Sequence, residues 1–224
     1  MIALEKKEVV NNKEEKPFEH YCALYRETDP EEAAQRLGIE YDAAAGEFEL
    51  VFLGNRYRVS FPEYSARCVE KKCPADLMKG VGAANILILR RLIEGKLIPA
   101  HGSFYTYKET PWGNVYNTQF TGRCISRLAF SYGKRIADFR RIFEAMGASP
   151  IENGDAGYAI ELIPGYTLKF MLWEADDEFP PSAQILFSDN FPDSFAPEDL
   201  VVCAELVINA MKETDRILKE GGGV

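Results

Sequence analysis

Histidine is nearly absent from this chain, with only His20 and His101 in 224 residues. HExxH, GxSxG and GxxxxGK[ST] are all missing, and Gly80-Val81-Gly82 is too short for a dinucleotide fingerprint. The common zinc-protease, hydrolase and P-loop readings lose their support. Basic charge is also scarce: 26 Lys and Arg face 35 Asp and Glu, for a net charge of -9. That balance argues against nucleic acid, whose binders draw most of their affinity from a basic face, and against an anionic membrane surface. No apolar run approaches the roughly 18 residues of a membrane span. The opening MIALEKKEVVNNKEEK is charged throughout and lacks a signal peptide's apolar core. A cytoplasmic chain with a mobile charged arm over residues 1–16 is expected.

Cysteine is sparse and odd in number: Cys22, Cys68, Cys73, Cys124 and Cys203, with no CxxC. A zinc knuckle or iron–sulfur cluster therefore has no local signature. Cys124 and Cys203 fall in helical patterns, as small core residues do. Cys68 and Cys73 lie among Arg67, Lys71 and Lys72, whose charge favours thiolate. They read either as a reactive pair or as a reduced surface loop.

What remains is ordinary globular composition, 46% hydrophobic and 27% charged, long enough for one large core or two small ones. The pattern is α+β. Asp29-Pro30-Glu31-Glu32 announces a helix that Gly38 ends. Glu47 to Phe61 reads as a hairpin around Gly54-Asn55, with Phe52 opposite Tyr57, Leu50 opposite Val59 and Phe48 opposite Phe61. A helix follows from about Gly82 to Glu94. The second half repeats the order: a helix over about 134–146, then a hairpin from Tyr158 to Trp173 around Pro164-Gly165. Its alternation asks for an odd-length loop. A strand over 184–187 and a long helix from Pro197 to about Lys219 complete it. Matching glycine spacings (Gly46/Gly54 and Gly157/Gly165) lead us to expect two pseudo-repeated helix–antiparallel hairpin–strand–helix halves packed together. They span 17–100 and 121–220. An aromatic connector over 101–120, with a strand at Phe104–Tyr107 and a turn at Pro111–Asn114, joins them. A cleft between such halves is a common ligand site.

Three groups carry candidate chemistry. In MLWEADDEFPPSAQILF, residues 171–187, Glu174, Asp176, Asp177 and Glu178 stand between two apolar strands. Clustered carboxylates suit a hard divalent cation, with Asp189 and Asn190 as further ligands, or a raised-pKa general acid. A solvated acidic turn is the alternative. Tyr105, Tyr107, Trp112 and Trp173 offer stacking surfaces, although alternate aromatics also simply pack a sheet. Arg123, four residues before Arg127, is placed to meet an anionic group or to pair with the abundant acids. His101 is a weak candidate for proton transfer, because no partner is evident.

Ile86 to Ile93, Gly102-Ser103-Phe104, Phe120 to Gly133 and above all LWEADDEFPPSAQILF resemble the bacterial and archaeal family of the domain of unknown function numbered 3786. The resemblance spans roughly residues 41–211. It brings no assigned chemistry. Its occurrence mostly in anaerobes implies cofactor or metal handling, and the cysteine-rich N-terminal domain of some relatives is missing here. We therefore expect a small ligand, cofactor or divalent metal to be bound between the halves. The rivals are a metal-dependent enzyme using the acidic loop and an acidic module docking a basic protein.

Overall fold

The computed structural model describes residues 15–221. Of the expected charged arm, residues 1–14 lie outside the described residues, and Glu15 and Lys16 already belong to helix α1 (Glu15–Arg26). No capping or periodic signal announces α1, whose buried Tyr25 donates to the Ser60 carbonyl at 3.1 Å. Helix α2 (Pro30–Leu37) begins as its residues dictate. Asp29 Oδ1 accepts from the backbone N–H of Glu31 and Glu32 at 2.9 and 3.1 Å, and Gly38 closes it at φ 64°.

Two antiparallel sheets follow. The first is the meander β1 (Glu40–Asp42), β2 (Glu47–Phe52), β3 (Asn55–Ser60) and β4 (Ala66–Glu70). Helix α3 (Ala83–Glu94) follows it. The chain then adds β5 (Phe104–Thr106) and a helix that runs without a break from α4 (Gly113–Phe120) through a π-helical turn at Thr121–Ser126 into α5 (Arg127–Tyr132). After α6 (Ile136–Ala145) come β6 (Ser149–Pro150), β7 (Ala156–Ile163), β8 (Tyr166–Trp173) and β9 (Ser182–Ser188). The second sheet is ordered β5-β9-β8-β7-β6. A single turn, α7 (Phe191–Ser194), leads into the long α8 (Pro197–Gly221). The chain thus runs α2-β1-β2-β3-β4-α3 around the first sheet and α6-β6-β7-β8-β9-α7-α8 around the second. Among the described residues no helix is long and apolar enough to cross a membrane.

Both hairpins differ from the expected register. In the first, Phe52 pairs with Asn55, Leu50 with Tyr57 and Phe48 with Val59. The two-residue turn is Leu53-Gly54, not Gly54-Asn55, with φ of 48° and 76°. A slip of two residues keeps every side chain on its face, which is why the alternation could not reveal it. Leu53 tolerates its left-handed backbone because it is buried and its N–H reaches the Leu162 carbonyl at 2.8 Å, tying the first sheet to the second. In the second hairpin the loop is also two residues long. The parity change comes from a bulge between Glu161 and Ile163. The connector is corrected as well: Trp112, at φ 63°, starts a helix where a simple turn was expected.

Candidate functional site

Helix α3 packs against α1, α2 and α8. Ala84, Leu87 and Ile88 form its buried stripe, and Arg91 stands next on that same stripe, three residues beyond Ile88. Arg36 seals the end of the helix by donating to the carbonyls of Leu92 and Ile93 at 2.8 and 2.9 Å, and to Gly95. From there the chain crosses to the second half over Tyr166. That phenol accepts from the Ile98 N–H at 3.0 Å, donates to the Lys96 carbonyl at 3.2 Å and meets Ser194 Oγ at 2.6 Å. Buried Asn190 finishes the crossing, donating to the carbonyls of Ile98 and Gly165 at 2.8 and 2.9 Å.

The two arginines of this helix end differ sharply. Arg90 is neutralised, with its NH1 2.5 Å from Asp199 and its NH2 3.3 Å from Glu94. Arg91 has no ion pair among the described residues, and its Nη1, like the Nε of Arg90, is buried without a hydrogen-bond partner. Its guanidinium lies 4.7 Å from the centre of the Tyr166 ring and 5.4 Å from that of Phe195. These faces partly stabilise the cation but leave its buried Nη1 without an acceptor. Burial pulls the Arg91 pKa below the ordinary arginine value, and the groups opposing this are Tyr166 and Cys203, with no carboxylate among them. Arginine starts so high that it stays charged. A cavity of about 260 Å³ opens here between α3 and the α7–α8 corner, lined by Arg90, Arg91, Lys96, Asp193, Ser194 and Asp199 among others.

The predicted site residues lie elsewhere, and they are not brought together. The acidic loop is outside this cleft, packed on the end of α5, where the Ala175 N–H reaches the Gly133 carbonyl at 3.0 Å. Glu174, Asp176, Asp177 and Glu178 are all exposed. Asp176 spends its carboxylate on the loop itself, accepting from the N–H of Glu178 and Phe179 at 2.9 and 2.6 Å. Among the described residues no three His, Cys, Asp or Glu side chains come together to hold a metal ion. Asp189, offered as a further ligand, accepts from the backbone N–H of His101 and Ser103, and the His101 side chain itself is exposed.

The aromatic set is dispersed too. Tyr107 is buried, stacked on Phe120 at 4.4 Å and donating to the Pro197 carbonyl, so it is a core residue and not a ligand platform. Tyr105 and Trp173 are partly exposed on β5 and at the end of β8. Trp112 is 71% exposed and lines a separate cavity with Pro111, Pro192 and Pro197. Arg123 is engaged by Glu205, with Nε 2.8 Å from Oε1, and Arg127 by Asn209. The thiolate expectation also fails: burial pushes the Cys68 and Cys73 thiols up, outweighing Lys71.

Arg90 and Arg91 were missed because arginine pairs carry no motif. The available signal was Arg91 continuing the apolar stripe of Ala84, Leu87 and Ile88. The fold and this cleft define an α+β protein of two antiparallel sheets with an unpaired arginine at their junction. Residues 29–210 match the sequence profile described as "Domain of unknown function (DUF3786)", and the chain belongs to that family. Against curated proteins and solved structures the sequence finds no match.

Proposed function

We propose that this chain binds a small anionic ligand in the cleft between its two halves, with Arg91 as the anchoring cation. The observation that carries this reading is the Arg91 guanidinium, partly buried, charged and without an anion among the described residues. A buried donor left unmatched costs about 1–3 kcal/mol, more for a charged group. A carboxylate or phosphate group seated on it removes that cost through charge-assisted, bidentate hydrogen bonds. Neighbouring Arg90 is held by Asp199 and Glu94 and so does not compete for the anion. This keeps the ligand between the halves but moves it from the acidic loop to the end of α3.

Native mass spectrometry on protein isolated from its own cells tests the reading. A retained small mass, identified as an anion after denaturation and lost in Arg91→Gln, is the expected result. Bare-chain masses for both proteins, with no response of Arg91 to added acetate, contradict it.

A further inference from the structure

A second cavity, of about 120 Å³, lies against the first, and Arg91 is the residue their linings share. Its walls are otherwise apolar, formed by Leu37, Ile39, Leu50, Ile88 and Leu92 of the first half and closed by Ile163 and Pro164 of the second. Leu97 completes its lining. Its backbone is fixed by an N–H bond to the Arg36 carbonyl at 3.1 Å, while its side chain remains 46% exposed. The side chain has glycines on both flanks. A Cβ on Gly38 would stand 3.1 Å from Leu97 Cδ2, and one on Gly165 3.9 Å from Cδ1.

We infer that the ligand is a short-chain monocarboxylate, its head on Arg91 and its apolar tail in the cavity beneath Leu97. This rests on the anion-binding reading above and deepens it. A wholly polar ligand would leave the apolar cavity to water, which needs two to four polar partners there and finds few. A wholly apolar one would leave Arg91 unpaired. The first cavity is lined by Arg90, Arg91 and Lys96 against the carboxylates of Glu94, Asp193 and Asp199, so its walls carry no net positive charge to hold a dianion. A dianionic phosphate therefore meets repulsion that a single carboxylate largely avoids, and a planar carboxylate matches the guanidinium fork.

Titration of the full chain with acetate, butanoate, hexanoate and inorganic phosphate tests this, followed by NMR at the Arg91 Nε–H resonance and assigned by its loss in Arg91→Gln. Affinity rises about four-fold per added methylene as the tail is buried. Phosphate binds more weakly than hexanoate. Leu97→Gln, a change at a half-exposed position, flattens the series. Acetate binding with a flat series in the wild type overturns the tail assignment but leaves the anion site standing. Phosphate tighter than hexanoate overturns the monocarboxylate head alone. No response to any probe, or a hexanoate-induced rise in melting temperature that persists undiminished in Arg91→Gln, overturns both readings.

Discussion

Arg90 and Arg91 are adjacent in sequence yet occupy opposite electrostatic states. The Arg90 guanidinium compensates Asp199, whose side chain is only 12% exposed. Burial already raises the Asp199 pKa, and Arg90 is the main group pulling it back down. Arg90→Met therefore strands a buried carboxylate. Urea unfolding should show a loss of about 3 kcal/mol. Asp215 gives the opposite pH behaviour. Burial would raise its pKa, but Lys219 and Arg135 bond to it and hold it below the ordinary 3.8. A depressed folded pKa stabilises above the unfolded value, and that stabilisation drains away as pH falls through the folded value. Asp215→Asn should thus be less stable than wild type at pH 7, and the gap should close below about pH 4. Thermal melts across pH 2–7 check both the sign and the window.

At the scale of elements, two glycines in one helical run should respond in opposite ways. Gly122 sits in the π-helical turn with open space where a Cβ would go. Gly122→Ala should be neutral or gain up to about 1 kcal/mol from helix propensity. Gly133 ends α5, and a methyl there would run into the Pro181 ring and the Ala129 carbonyl. Gly133→Ala should displace the acidic loop and cost about 2 kcal/mol, within the range for overpacking. Melting temperatures of the two variants, compared side by side, decide it. These elements also show what could be read in advance. Asp29 and Gly38 marked helix ends because caps are local chemistry. The faces of both hairpins were readable because alternation has period two. The register was not, since a two-residue slip and the bulge at Leu162 keep or restore the same faces. The acidic loop drew attention by its composition, yet Asp176 proves to stabilise its own turn.

The whole molecule is organised by contacts that no local pattern announces. Leu53 and Leu162 stitch sheet to sheet, Tyr166 and Asn190 hold the crossing chain, and α3 packs against α8. The cleft exists only once these long-range contacts form, which is why Arg91 read as one more residue of an apolar helix. Its position implies a stability–function trade-off: a cation kept unpaired at a junction costs stability until a ligand arrives. The most direct test is thermal unfolding of wild type and Arg91→Gln, with and without a saturating short-chain carboxylate. Without ligand, Arg91→Gln should be at least as stable as wild type. With ligand, only the wild type should rise, by about 3 kcal/mol at a hundred-fold excess over Kd. A destabilised Arg91→Gln that gains as much from the carboxylate as wild type does would contradict the account, and Arg91 would then be a structural cation stacked on Tyr166.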